Sequence, residues 1–298
     1  MKLRRLLAVV IGLVFLISPI VVLPFDAQRG ELKEFFQKGP DDYVNLECSV
    51  FNITVIGTAE GFVPIYDSHS NAVYAKRAIG VFGQQGSGMH VGKGYVVTAA
   101  HVVCPKQVKI QVSESLYYIV PATKVMTITI FLGNGSLGNA LAEVIYVDEE
   151  YDLALLKVVG IWPALKDLGY RPGLTWQEGD LIHEGDAVAV IVQKRDDSGE
   201  KLGWQYEVRY GKVLAPKPIL PPGVTPDVLP WFHLMDVTMD TVIYPGDSGS
   251  PVFAWVNGQP VLIGIARAAA LGQDSEGNSV IYSYFSRIDP LYPFSIER

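Results

Sequence analysis

The sequence predicts an all-β protein of barrel or sandwich architecture. Many short apolar or alternating segments are separated by turn residues, as expected for a chain with 29 Gly and 19 Pro. No window shows a long 3.6-residue periodicity, so helices are predicted to be minor. The 298 residues, 49% of them hydrophobic, suffice for two barrels of about a hundred residues each.

The charge balance limits the classes of partner. The formal net charge is −7 and the sequence contains no long run of Lys and Arg, which argues against nucleic acid as the main partner. Charged residues make up only 18% of the chain, so long disordered stretches are not expected.

Residues 1–25 predict a signal anchor or a signal peptide. Basic residues at the start precede the uncharged apolar run Leu6–Phe25, which is long enough for a bilayer that needs about 20 apolar residues. No small-x-small cleavage site follows, which favours a retained anchor, although Ser18-Pro19 keeps cleavage open. The rest of the chain is expected outside the cytoplasm, membrane-anchored or, after cleavage, secreted.

Residues 26–77 are predicted to form a linker and an N-terminal extension, and residues 78–298 the main body. The extension contains a short helical segment at Glu31–Lys38 and possible strands at Cys48–Gly57 and Gly61–Tyr66. The body divides into a first barrel at about 78–160, a crossing at 161–180 and a second barrel at about 181–290. Its predicted strands include Gly94–Ala100, Val125–Phe131, Ala142–Val147, Leu153–Val159, Ala187–Val192, Tyr206–Tyr210, Val261–Ala266 and Val280–Phe285.

Three polar residues are candidates for nucleophilic catalysis. Ser248 lies in Tyr244-Pro245-Gly246-Asp247-Ser248-Gly249-Ser250-Pro251, where glycines allow a tight turn, and the amides of Gly246 and Ser248 are candidates for an oxyanion hole. His101 follows an apolar strand, and Asp152 opens another. Each residue alone is typical of a turn. Together they supply a nucleophile, a base near neutral pH and a carboxylate that orients the base.

The order of these residues along the chain excludes two of the known arrangements of a catalytic triad. An α/β-hydrolase requires G-x-S-x-G and a histidine after the serine, whereas Ser250 occupies the last glycine position and no histidine follows His233. The subtilisin order begins with aspartate, and nothing around Asp67 supports it. Only the order His, Asp, Ser remains.

The motifs resemble the three signatures of trypsin-like (chymotrypsin-fold) serine proteases. They are Thr98-Ala99-Ala100-His101, Asp152-Leu153-Ala154-Leu155 and Gly246-Asp247-Ser248-Gly249-Ser250-Pro251. Smaller matches, such as Gly86-Ser87-Gly88, point to the bacterial-type branch with the HtrA (Do-like) proteases and the glutamyl endopeptidases. The resemblance implies two antiparallel six-stranded β-barrels with the active site in the cleft between them. Only 50 residues follow Ser248, which leaves no length for a PDZ domain.

The same resemblance guides expectations about specificity and activation. Val242 aligns with the base of the specificity pocket, and Ala268 and Ala269 with its wall, which implies a small or medium apolar residue before the scissile bond. The neighbouring Arg267 faces either the pocket or solvent. No activation sequence is present, so a new N-terminus is not expected to insert beside Asp247.

The two cysteines suit an exported chain. Cys104 lies three residues after His101, and a disulfide between Cys48 and Cys104 would fix the extension to the histidine loop; two free thiols are the alternative. No Cys/His cluster has the spacing of a metal site, and no cofactor is expected.

The sequence therefore predicts an exported serine endopeptidase that acts on polypeptides and contacts the membrane through its N-terminal segment. Two alternatives stay open. The chain is a protease-like binding module that has lost turnover, or a protease limited to its own processing.

Overall fold

A computed structural model describes residues 25–38, 49–67, 69, 72–111, 117–131, 138–160, 182–196, 198–199, 201–220, 236–256, 258–273, 278–288 and 291. The helices and strands in these residues follow one another as α1 (Phe25–Lys38), β1 (Val50–Asp67), β2 (Ala72–Gly92), β3 (Tyr95–Ala99), α2 (Ala100–Val103), β4 (Gln107–Gln111), β5 (Tyr117–Phe131), β6 (Asn139–Asp148), β7 (Leu153–Val159), β8 (Ala187–Arg195), β9 (Lys201–Ala215), β10 (Asp236–Met239), β11 (Pro251–Val256), β12 (Gln259–Gln273) and β13 (Ser279–Arg287).

The first barrel contains six antiparallel strands in the order β1-β2-β3-β7-β6-β5, and pairing of β1 with β5 closes the ring. The short strand β4 pairs with the first residues of β5, outside the closed part. Strands β3 and β7 are almost fully buried, because their side chains fill the barrel and also pack with residues of the second barrel. This shared core places the ends of β3 and β7 next to the cleft.

The second barrel is also closed and six-stranded, in the order β10-β13-β12-β11-β8-β9. Its strand β8 is buried continuously from Ala187 to Gln193. In a sheet with one exposed face, buried and exposed side chains alternate along each strand. Continuous burial therefore means that both faces of β8 are covered. One face lines the barrel, and the other contacts α1 and the shared core. The two six-stranded barrels predicted from the sequence are thereby confirmed.

Helix α1 precedes the first barrel in the chain but packs on the second. Its apolar side chains Leu32 and Phe36 are buried, and the Phe36 ring meets Phe253 edge-on with 5.9 Å between centroids. The Gln28 side chain accepts a hydrogen bond from the amide of Ala187 at the start of β8. The helix therefore ties the beginning of the chain to the second half of the fold.

The boundary of the first barrel differs from the sequence prediction. We expected residues 26–77 to be a linker and extension and the barrel to begin near residue 78, yet β1 at Val50–Asp67 is one of its six strands. Gly57 and Gly61, where the two predicted segments end and begin, are packing sites within one strand. A Cβ on Gly57 would lie 2.5 Å from the Phe82 ring, and one on Gly61 would lie 2.6 Å from Val120.

Several predictions concern residues outside the described part of the chain. These are the signal anchor or signal peptide at 1–25, of which only Phe25 is described, the whole crossing at 161–180, and Cys48. Among the described residues, no helix has both the length and the apolar character needed to cross a bilayer.

His90 is a buried histidine of the first barrel. It stacks on Phe51, and its Nε2 accepts a hydrogen bond from the amide of Gly94 at 3.2 Å. Burial, assisted by the nearby positive charge of Lys157, lowers the pKa of His90 from 6.5 to about 4. The neutral ring is therefore the form that the folded protein accommodates.

This lowered pKa predicts that the protein loses stability in mild acid. Between about pH 6.5 and 4 the unfolded chain binds a proton at this residue that the folded chain excludes, so stability is complete above pH 6.5 and falls by about 3 kcal/mol as the pH approaches 4. Denaturant titrations at several pH values measure this loss. His90→Gln should flatten the dependence, whereas the same change at the exposed His69 should not. An equally steep dependence in His90→Gln would contradict the assignment.

Candidate active site

His101 is presented by the short helix α2, directly after β3. The neighbouring Val102 and Val103 are buried and hold the helix against the barrel. The His101 side chain is 41% exposed, so solvent reaches the imidazole. Its backbone amide donates to Asp152 Oδ1 at 2.8 Å, and the amide of Ala100 donates to the Asp152 carbonyl at 2.9 Å. The start of the helix is thus fixed to the residue that precedes β7.

Asp152 is nearly buried and adopts a positive φ of 52°, which is uncommon for a residue with a side chain. This turn conformation accompanies a carboxylate directed at His101, with Oδ2 at 2.7 Å from Nδ1. Burial by itself would raise the pKa of Asp152. The hydrogen bond from His101 and the charges of His101 and Arg267 outweigh burial and hold the pKa below its usual value. The carboxylate is therefore ionised and available to orient the imidazole.

Arg267 is a site residue that the sequence prediction missed. The expectation placed its side chain toward the specificity pocket or solvent, but it is buried, with Nε at 3.0 Å from Asp152 Oδ2. The signal was present in the sequence, since Arg267 is the only charged residue in the apolar run Val261–Leu271. A charge buried in such a strand needs a partner of opposite charge.

Ser248 lies in a tight turn whose backbone docks on the first barrel. Gly246 and Gly249 both have positive φ, and the Ser248 carbonyl accepts a hydrogen bond from the amide of Ser87 on β2 at 2.7 Å. A Cβ on Gly249 would lie 1.8 Å from the Ser87 carbonyl oxygen, so only glycine fits there. The close approach of the two backbones fixes the serine turn of the second barrel against the first.

The serine turn lies next to the helix that carries His101. The Ser248 carbonyl and the side chain of Val102, the neighbour of His101, both flank Gly86 at distances that leave no space for a Cβ. The Ser248 hydroxyl donates to the Arg267 carbonyl at 3.1 Å, while the Arg267 side chain contacts Asp152. In this structure the hydroxyl is thus directed at the carbonyl of Arg267, and a hydroxyl hydrogen can rotate between acceptors.

The sequence model of a protein family, described as Trypsin-like peptidase domain, matches residues 86–265, which is more than half of the chain. The chain belongs to the trypsin-like peptidase family. Among curated proteins, no match is found. Among solved structures, the chain is similar to one described as HtrA-type protease AlgW with decapeptide, with a TM-score of 0.47 and 19% sequence identity. That similarity covers 86% of this chain and 65% of the other, so this chain spans less than two thirds of the other's length.

Asp247 is fully buried and forms ion pairs with arginines of this chain. Its Oδ2 accepts hydrogen bonds from Arg209 at 3.1 Å and from the amide of Tyr244 at 2.9 Å, and Arg195 lies 3.5 Å from Oδ1. The same arginines also donate to backbone carbonyls of this loop, Arg209 to Val242 and Arg195 to Pro245. Two internal arginines therefore supply the positive charge at this carboxylate.

The turn leaves two of its backbone amides without an acceptor among the described residues. Its hydrogen bonds run from the amide of Asp247 to the Tyr244 carbonyl and from the amide of Ser250 to the Asp247 carbonyl. Within the part of the chain that the structure describes, the amides of Gly246 and Ser248 donate to no protein acceptor. Lys201 approaches the Gly246 carbonyl from the other side at 3.3 Å, which fixes the orientation of that peptide.

The predicted specificity residues lie on two segments next to Ser248. Val242 precedes the serine turn, and its carbonyl accepts the hydrogen bond from Arg209. Ala268 and Ala269 follow Arg267 on β12, where they pair with Tyr284 and Ser283 of β13. The role of these three residues in substrate binding stays a prediction.

Cys104 follows α2 and carries a free thiol that is partly buried. Burial, followed by the negative charge of Glu149, raises the pKa of this thiol, which makes it a weak nucleophile at neutral pH. The predicted partner Cys48 lies outside the described residues. The Cys48–Cys104 disulfide therefore stays a prediction.

Proposed function

We propose that this peptidase is a serine endopeptidase that hydrolyses polypeptides through an acyl-enzyme on Ser248. The observation that supports this most directly is the 2.7 Å pair between His101 Nδ1 and the buried carboxylate of Asp152. Arg267 contacts the same carboxylate, and its carbonyl accepts the hydrogen bond of the Ser248 hydroxyl. Carboxylate, imidazole and serine in this order are the elements of a catalytic triad.

The proposed reaction begins when the Ser248 hydroxyl turns from the Arg267 carbonyl to His101 Nε2. The oxygen attacks the carbonyl carbon of the scissile peptide bond while the imidazole accepts its proton. Asp152 keeps Nδ1 protonated and stabilises the imidazolium, which then donates its proton to the leaving amine. Water hydrolyses the resulting ester by the same steps in reverse.

The amides of Gly246 and Ser248 are proposed to stabilise the oxyanion of the tetrahedral intermediate. Each such donor contributes about 3–4 kcal/mol in acyl-transfer enzymes. The ionic contacts of Asp247 support this role, because they fix the backbone between the two amides before substrate arrives. No cofactor or metal takes part in these steps.

We further propose that the residue before the cleaved bond is small or medium-sized and apolar. Val242, Ala268 and Ala269 offer apolar side chains next to Ser248, and the nearest cation, Arg267, is paired with Asp152 rather than available to a substrate. A peptide library cleaved by the purified protein tests this directly. Preferred cleavage after Ala, Val or Leu is expected, and preference for Lys, Arg, Asp or Glu would refute it.

The location of the protein is proposed on the N-terminal sequence alone. The basic start and the apolar run Leu6–Phe25 support export of the catalytic domain, held at the membrane by an uncleaved segment or released by cleavage. Mass spectrometry of the N-terminus from the native host distinguishes the two and also detects cleavage by the protein itself. A start at or after residue 26 would show removal of the segment.

A fluorophosphonate probe tests the proposed function without knowledge of the natural substrate. The probe phosphonylates a serine that a neighbouring base activates, with release of fluoride, so the folded wild-type protein should form one adduct, located at Ser248 by peptide mapping. Folded protein that forms no adduct would favour the alternative of a silent binding module.

A further inference from the structure

A cation is buried beside the proposed triad. The Arg267 side chain is 4% exposed and the Asp152 side chain 8%, and the two form an ion pair with 3.0 Å between Nε and Oδ2. The same Oδ2 accepts the hydrogen bond from His101 Nδ1. Because burying an arginine is costly unless it is paired, this position is built for the carboxylate.

Arg267 also contacts the other end of the triad. Its backbone carbonyl accepts the hydrogen bond from the Ser248 hydroxyl at 3.1 Å. Asp152 belongs to the first barrel and Arg267 to β12 of the second, so this ion pair crosses the cleft between them. One residue thus touches both the carboxylate that orients the base and the hydroxyl that the base activates.

We propose that Arg267 is a positioning residue of the triad, whose guanidinium fixes the Asp152 carboxylate and extends activity to lower pH. This inference rests on the proposed function. Each carboxylate oxygen is engaged, Oδ1 by the backbone amide of His101 and Oδ2 by both the imidazole and the guanidinium. With three donors the carboxylate is held against rotation, and the imidazole keeps one orientation toward Ser248.

The charge of Arg267 has a separate consequence for the pH dependence. Within the described residues, the charged groups that act on Asp152 are His101 and Arg267. Protonation of the imidazole places a second cation on a carboxylate that is already neutralised by the guanidinium. With Arg267 present, Asp152 therefore stabilises the His101 imidazolium less than it would without Arg267. Removal of the guanidinium charge should favour protonation of the imidazole.

The test measures the rate of fluorophosphonate labelling per folded molecule as a function of pH. Arg267→Met keeps most of the side-chain volume and removes the charge, and we expect a rate lower by on the order of 100-fold, as for a misplaced catalytic group. The acid limb of its pH profile should move to higher pH. Arg267→Lys keeps the charge, so it should retain the wild-type acid limb and recover part of the rate.

The exposed Arg77, paired with Glu60 on the β1–β2 hairpin, provides the matched control, because Arg77→Met removes an ion pair far from the cleft. It should leave rate and profile unchanged. If Arg267→Met does not fold, Arg267→Gln, which is neutral but retains a hydrogen-bond donor, replaces it.

Two results would overturn the proposal. One is a neutral variant, folded by circular dichroism, that labels at the wild-type rate with the wild-type profile. The other is a slower neutral variant with an unmoved acid limb, which would show a structural role only. If the wild-type protein itself fails to label, the proposed function is wrong, and this outcome is recognised before any variant is made.

Discussion

Ser248→Ala is expected to abolish peptide hydrolysis, with kcat lower by about a million-fold. The change removes the only proposed nucleophile, and residues of a triad act as a unit, so removal of this one costs about as much as removal of all. The loss is measured with the preferred substrate from the peptide library, under single-turnover conditions. The variant should remain folded, because the Ser248 side chain is only partly buried and its backbone contact to Ser87 is retained.

Ser250→Ala is the matched control for this prediction. Ser250 lies two residues away in the same turn, and its hydroxyl is buried without a hydrogen-bond partner among the described residues. Loss of that hydroxyl breaks no bond, so activity should stay within a few-fold of wild type and stability should not fall. Equal loss of activity in both variants would indicate that the turn, rather than the Ser248 hydroxyl, is what the substitutions disturb.

Asp247→Asn is expected to cause the largest loss of stability together with a large loss of activity. The neutral side chain leaves the mostly buried Arg195 without its carboxylate and leaves Arg209 with Glu207 as its remaining carboxylate, and breaking a buried pair in this way costs about 3–5 kcal/mol. The Gly246 and Ser248 amides lose their fixed orientation, so labelling by the fluorophosphonate per folded molecule should fall by about 100- to 1,000-fold. Denaturant titration measures the first effect.

Asp196→Asn makes the same chemical change on an exposed loop beside the β8–β9 hairpin, where Asp196 contacts Ser198. It should change stability by less than about 1 kcal/mol and leave labelling unchanged. Arg209→Met tests the pair from the other side and should lower both quantities as well. A stable and fully reactive Asp247→Asn variant would show that the arginines are not needed to hold the turn.

The parts of the fold that were predictable are those with a local signal. Strand β7 was predicted at Leu153–Val159 and has those bounds, because its apolar run ends at turn residues on both sides. Strand β1 was divided in two because Gly57 and Gly61 read as turn residues. Glycine is required at both positions because side chains of β2 and β5, which are distant in the chain, approach the backbone closely there.

In the candidate site, too, the residues with a local sequence signal were predictable and the long-range contacts were not. His101, Asp152 and Ser248 were found because each lies in a short motif and the three occur in a known order. The pairing of Arg267 with Asp152 spans 115 positions of the chain, and Asp247 meets Arg209 at a separation of 38. No periodicity or local motif encodes contacts of that kind.

The sequence by itself determined the all-β class, the family and the three residues proposed to react, because turn chemistry, strand periodicity and motif order are local properties of the chain. Only the tertiary structure decided that α1 packs on the second barrel, that β1 closes the first, and which cations neutralise the two buried aspartates. A buried charge selects its partner by proximity in the folded state, and that proximity exists only once both barrels have closed around the cleft.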